Sequence, residues 1–166
     1  IVDLRDKLFM IDCGEGAQLQ FRKSHLKFSR LNHIFISHLH GDHCFGLLGL
    51  ISTLNLLGRT AELHIHSPKG LETLLTPMLD FFNRQMTYKV LFHEFDTKEP
   101  MLIYEDRSLT VTTIPLRHRM PCCGFLFAEK RCPNHIIREM VDFYQVPVYE
   151  LNRIKNGADY VTSEGK

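Results

Sequence analysis

Four metal-binding side chains fall within six residues, His38-Leu39-His40-Gly41-Asp42-His43. They lie where an apolar stretch, residues 31–37, gives way to a second one beginning near Cys44. Imidazole nitrogen and carboxylate oxygen are the usual ligands of zinc. In an extended segment, side chains at i and i+2 point the same way, so His38 and His40 converge. Gly41, with no Cβ, lets the backbone turn sharply. Asp42 and His43 then face a second position nearby. Two ions roughly 3.5–4 Å apart form the clamp that many phosphoesterases place on attacking and leaving oxygens. A polar loop whose histidines only cap the next helix would need no such concentration of ligands.

The flanking pattern predicts alternating strands and helices. Residues 7–12 read as a buried strand, followed by the tight turn Cys13-Gly14-Glu15-Gly16 and a helix over 17–28. Residues 31–37 form the next strand and deliver the cluster at its C-terminal end, where α/β layers place their ligands. A long apolar helix over 44–57 ends at Gly58. A strand over 63–66, a turn at Ser67-Pro68-Lys69-Gly70 and an amphipathic helix over 71–84 come next. Strands are expected at 89–95, 101–104, 109–116 and 123–127. Beyond Pro133 the chain turns polar, with short helices near 136–143 and 149–154. Strands and helices in this order suggest a sheet covered by helices.

Length and charge narrow the classes. The 166 residues suffice for one domain with a core. A hydrophobic content of 44% and a charged content of 23% are those of a globular chain. Net charge is only +1, so any RNA contact must use local patches. No apolar run approaches the roughly 18–20 residues of a membrane span, and the start, Ile1 to Asp6, lacks the layout of a signal peptide. The odd cysteine count (Cys13, Cys44, Cys122, Cys123, Cys132) without C-x-x-C spacing suits a reduced, cytoplasmic setting. The absence of an initiator Met and the ending Ser163-Glu164-Gly165-Lys166 read as a piece of a longer protein.

Three segments together carry a family resemblance: Ile11-Asp12-Cys13-Gly14-Glu15-Gly16-Ala17-Gln18, Ser37-His38-Leu39-His40-Gly41-Asp42-His43-Cys44-Phe45-Gly46-Leu47, and His118-Arg119-Met120-Pro121-Cys122-Cys123-Gly124-Phe125. They resemble the metallo-β-lactamase superfamily and, in their flanks, its ribonuclease Z family, over residues 5–128 best. The resemblance implies an α+β, αββα-type metallo-β-lactamase fold, here without its C-terminal part. Residues 1–166 would be the N-terminal portion of a single domain, with 129–157 a protruding RNA-binding arm. His38, His40 and His118 would hold one Zn(2+), and Asp42 and His43 a second, two per subunit in the complete protein. Asp42 would also accept the proton of the attacking water. The reaction implied is hydrolytic removal of the 3′ trailer from precursor tRNA, leaving a 3′-hydroxyl on the tRNA and a 5′-phosphate on the trailer. A homodimer is implied as well, and a bridging aspartate and a final histidine from a later region. Rival readings are another superfamily phosphodiesterase or arylsulfatase-like hydrolase, and an inactive RNA-binding or dimerisation fragment.

Other residues are weighed against these. Arg117 and Arg119 flank His118 and are candidate substrate-binding residues, since phosphate contacts position RNA without reading its sequence. Arg22, Lys23, Lys27 and Arg30 form a basic run that serves RNA or simply faces solvent. His64 and His66 alternate on a strand without a neighbouring carboxylate, which favours a structural role. His25, His33, His93 and His135 read as isolated solvent or packing residues. Glu15 either orders groups near the metals or caps the following helix. Asp12 is expected to orient the turn and a ligand, and Cys44 to be buried in the core. Cys132-Pro133-Asn134-His135 lacks the further ligands a second metal site needs.

Overall fold

The computed structural model describes residues 1–161 and 165, so most of the Ser163–Lys166 ending lies outside the described residues. Two compact units are present, Ile1–Ala128 and Glu129–Lys166.

In the first unit, β1 (Val2–Leu4) and β2 (Lys7–Ile11) lead to α1 (Ala17–Lys23). A 3-10 turn at Phe28–Arg30 leads into β3 (Leu31–Phe35). Then come α2 (Gly41–Cys44), α3 (Gly46–Leu56), β4 (Leu63–Pro68), α4 (Leu71–Phe82) and β5 (Val90–Phe95). The unit closes with β6 (Leu102–Glu105), β7 (Leu109–Leu116) and β8 (Cys122–Glu129). One sheet runs in the order β1-β2-β3-β4-β5, antiparallel at β1/β2 and parallel from β2 to β5; the other runs β6-β7-β8.

Strand alternation sorts the residues of the larger sheet between its two faces. Leu8, Met10, Ile34, Ile36, Leu63 and Ile65 pack against the helices. From the helix side come Leu47, Leu50, Ile51 and Leu54 of α3, and Leu71, Leu75 and Leu79 of α4, at helical spacing. The opposite face presents Phe9 and Phe35 to Leu109 and Val111 of the smaller sheet, with Phe125 and Phe127 packed alongside. Helices, large sheet and small sheet are therefore three successive layers. The larger sheet is covered on both faces, as parallel strands require.

The same alternation gathers histidines that look isolated in the sequence. Register pairs His33 with His64 and His66 with His93 across the parallel strands. His33 Nδ1 lies 3.2 Å from His66 Nε2, and His64 Nδ1 lies 2.9 Å from His93 Nε2. Expecting His33 and His93 to be isolated was incorrect, because strand register joins positions about thirty residues apart. His25 and His135 are exposed.

Several element boundaries differ from expectation. α1 stops at Lys23 rather than residue 28: the Ser24 hydroxyl donates to the Phe21 carbonyl (2.6 Å), and His25 turns into the left-handed region (φ 57°). The single helix expected over 44–57 is two: α2 begins at Gly41 and takes in Asp42 and His43, and α3 begins at Gly46. β4 runs on through Pro68, leaving the turn to Lys69 and Gly70, where φ is 109°. In the second unit, α5 (Arg138–Phe143) buries Val141, and a 3-10 turn at Val148–Glu150 precedes α6 (Leu151–Lys155).

Candidate metal centre

The site forms where β2, β3 and β7 end. Asp12, just past β2, adopts the left-handed region (φ 56°), which aspartate tolerates better than most residues. Its N–H donates to the Phe35 carbonyl (2.8 Å) and starts the Gly-rich turn. That turn docks backbone to backbone on the cluster segment. Cys13 N–H donates to the His43 carbonyl (2.7 Å), and Gly46 N–H donates to the Cys13 carbonyl (2.9 Å). A Cβ on Gly14 would lie 2.0 Å from the Asp42 carbonyl oxygen, and one on Gly46 would lie 2.0 Å from that of Gly14. Only glycine permits this approach. Gly41 has a different task from the sharp turn expected of it. It opens α2, and a Cβ there would strike the Phe45 ring at 2.4 Å.

Hydrogen bonds behind the histidines assign their tautomers. Asp12 accepts from Ser37 N–H (2.8 Å), from the Ser37 hydroxyl (3.0 Å) and from His43 Nδ1 (2.8 Å). With its proton committed to Asp12, the Ser37 hydroxyl accepts from His38 Nδ1, 3.0 Å away. His38 and His43 thus carry their protons on Nδ1 and leave the Nε2 lone pairs free, the arrangement in which an outer carboxylate or hydroxyl orients a ligating imidazole. In the sequence Ser37 carries no signal beyond its place in the motif, immediately before His38.

The front of the site brings three imidazoles together. His38 Nε2 lies 3.0 Å from His40 Nδ1, and His118 Nε2 lies 3.5 Å from the same atom. One donor nitrogen from each lies within 4.8 Å of the other two. His43 lies beside His38, ring centroids 4.0 Å apart and the rings tilted at 50°. Asp42 stays outside this group: its side chain is 79% exposed, with Oδ2 3.4 Å from His43 Nε2. Burial, followed by the neighbouring His43, His40 and His118, holds His38 below the usual imidazole pKa. Neutral nitrogen donors at this spacing fit zinc.

Neighbouring residues fall into place around the centre. Cys44 is buried, its thiol donating to the His40 carbonyl (3.3 Å). Glu15 is exposed and does not cap α1, whose N-cap is Gly16 without a side-chain bond. Arg30 is paired with Asp3 and donates to the Asp6 carbonyl. Arg22, Lys23 and Lys27 are exposed. Arg117, His118 and Arg119 follow β7 and line a cleft of about 690 Å³.

Residues 1–134 match the family model described as Anti-Pycsar protein Apyc1. The whole chain aligns at 81% identity with the Ribonuclease Z of Bacteroides fragilis, covering 55% of that protein. It aligns at 53% with the Ribonuclease Z of Porphyromonas gingivalis, again covering 55%. The chain therefore spans about half the length of the curated relatives it matches. Among solved structures it is similar to human tRNase Z, short form, with TM-score 0.70 and 31% identity over 77% of this chain and 56% of that one. A diphosphatase of the PhnP family shares the fold at TM-score 0.56 and 18% identity, over 75% of this chain and 46% of the other.

Proposed function

The chain belongs to the family described as Anti-Pycsar protein Apyc1 and, by its curated relatives, to the ribonuclease Z family of the metallo-β-lactamase fold; from that premise we propose that the full-length protein is a zinc-dependent endoribonuclease that removes the 3′ trailer from precursor tRNA. The observation that carries this reading is the convergence of His38, His40 and His118, backed by the Asp12–Ser37 pair, beside a cleft lined by Arg117 and Arg119.

His38, His40 and His118 would hold one zinc, and His43 with Asp42 a second. Zinc bound there supplies positive charge to the oxygens of the phosphodiester. Asp12 and Ser37 keep the Nε2 atoms of His38 and His43 unprotonated and aimed forward. The exposed Asp42 carboxylate takes the proton of the attacking water. That water's oxygen bonds to phosphorus as the bond to the 3′ oxygen breaks. The 3′ oxygen takes up a proton from solvent water and leaves as the hydroxyl of the tRNA, and the phosphate stays on the 5′ end of the trailer. Arg117 and Arg119 hold the substrate's phosphates. Residues 129–157 serve as an arm for RNA, and a second copy completes a homodimer. No described helix is long and apolar enough to cross a membrane, and we place the protein in the cytoplasm, where its substrate is made.

The test is cleavage of precursor tRNA by the full-length protein, with the ends mapped and zinc measured by elemental analysis. Trailer release with a 3′-hydroxyl, lost together with zinc in His40→Ala, is the expected result. Because the family model carries a different description from the curated relatives, small phosphodiesters are assayed alongside. Turnover of those substrates with intact precursor tRNA would establish the rival hydrolase reading.

A further inference from the structure

The cleft beside His118 extends well beyond the metal centre. It is built from the loops that follow the C-terminal ends of β4, β5 and β7. Lys69 enters from the first loop, Lys98 from the second, and Arg117 and Arg119 from the third. Against these four cations the lining holds one carboxylate, Asp96, which turns back to accept the N–H of Lys98 (2.9 Å). Among the described residues, none of the four cations is ion-paired. Leu39, Leu116 and Met120 give the cleft an apolar surface between the charges. Its volume of about 690 Å³ falls within the roughly 300–1,000 Å³ range of small-molecule sites.

A cationic rim around an apolar surface is the chemistry of a single-stranded nucleotide, with phosphate outside and base inside. We propose that this cleft is a subsite for the nucleotide adjoining the scissile phosphate, with Lys69 and Lys98 as positioning residues for its phosphate and the Leu39–Met120 surface receiving its base. The proposal rests on the endoribonuclease reading and adds two residues to it. Neither lysine is near the cluster in sequence. They meet at the site because β4 and β5 are parallel neighbours whose C-terminal ends open on the same side.

The experiment compares full-length wild type with the double variant Lys69→Ala, Lys98→Ala on precursor tRNA over a range of salt. Both side chains are exposed, so the variant keeps its fold. The expected result is a KM raised about fivefold to tenfold, kcat within about twofold of wild type, and a slope of log KM against log salt reduced by about 1–2. Lys69→Arg with Lys98→Arg restores the slope. Lys89→Ala, which removes one positive charge just before β5, at the end away from the cleft, leaves KM and slope unchanged. An unaltered KM and slope in the double alanine variant, with wild-type cleavage intact, overturns the subsite alone. Wild-type protein that hydrolyses a small phosphodiester but leaves precursor tRNA whole overturns the endoribonuclease reading, and the subsite with it.

Discussion

Two groups of four histidines lie in the same unit, and their surroundings set them to different tasks. His38, His40, His43 and His118 stand past the ends of strands, where loops can turn their rings toward one point. His38 is steeply inclined to both His40 and His118, at interplanar angles of 75° and 76°. The Nδ1 atoms of His38 and His43 are tied to the Asp12–Ser37 pair, which frees their Nε2 atoms. His33, His64, His66 and His93 stand within strands, where register holds their rings nearly parallel. Interplanar angles there are 18° for His33 and His64, and 19° for His66 and His93. They bond to one another and pack on Phe35 and Tyr104. Imidazole alone thus makes no metal site; convergence of the donor nitrogens sets the first group apart, since His64 too has a carboxylate nearby, Glu62 Oε2 at 3.9 Å from its Nε2.

The largest expected effect separates the two groups outright. His40→Ala removes the shared vertex of the converging trio, and zinc measured by elemental analysis falls to background. His64→Ala in the strand group leaves zinc content as in wild type. Zinc retained in His40→Ala would break the comparison.

Asp12→Ala removes the outer carboxylate but no proposed ligand. Zinc affinity, measured by competition with a chelator, drops about 10–100-fold. An unchanged affinity would show that the Asp12–Ser37 pair serves only the turn.

The strand group should appear instead in acid stability. Burial, then the neighbouring imidazoles His93, His33 and His64, lowers His66 to about 3. Burial, then His64, His93 and Lys7, with Asp106 opposing, lowers His33 to about 4. Both are neutral in folded and unfolded chains above the ordinary value of 6.5. Below it the unfolded chain takes up protons that the folded one refuses, so stability present at neutral pH declines toward pH 4. From pH 7 to pH 5 the loss is on the order of 2 kcal/mol per imidazole. His66→Phe would stack on Phe35, remove the unpartnered buried Nδ1 and flatten that slope in urea denaturation series. An unchanged slope would mean the strand group does not govern it. Asp106 acts in a lower window. Burial alone would raise its carboxyl, but bonds from Lys7, the Ser108 backbone and Tyr104 pull it well below the carboxylate range. Its contribution is therefore lost only at more acid pH.

The smallest effect concerns Gly41. The Cβ of Gly41→Ala meets the edge of the Phe45 ring, which is 76% exposed and free to swing away. A cost below about 1 kcal/mol is expected in thermal or urea unfolding. In Gly46→Ala the obstacle is backbone, and the cost exceeds about 2 kcal/mol. Equal costs would show that the docked turn yields as easily as a side chain.

Much of the first unit is legible from local pattern. The apolar, β-prone runs at residues 7–12 and 31–37 mark β2 and β3, and Leu71, Leu75 and Leu79 mark the buried stripe of α4. His38, His40, Asp42 and His43 announce themselves because they are adjacent. His118 does not: seventy-eight residues separate it from His40, and a lone histidine after a strand carries no signal of its own without the motif around it. The pairing of His33 and His93 with other histidines is hidden for the same reason, and Lys69 and Lys98 carry no local signal of their own.

What the amino-acid sequence determined by itself is what a few consecutive residues encode: the strand-to-helix break at the cluster, the glycines where two backbones touch, and the face each strand side chain must take. Tertiary structure alone decided which distant residues share a point in space. Parallel pairing of β3, β4 and β5 aligned four histidines, and the end of β7 brought His118 to His38 and His40. The reason is physical. Periodicity and steric freedom act over a few residues, whereas strand order and register arise from burying two faces of one sheet at once, a condition no short segment contains.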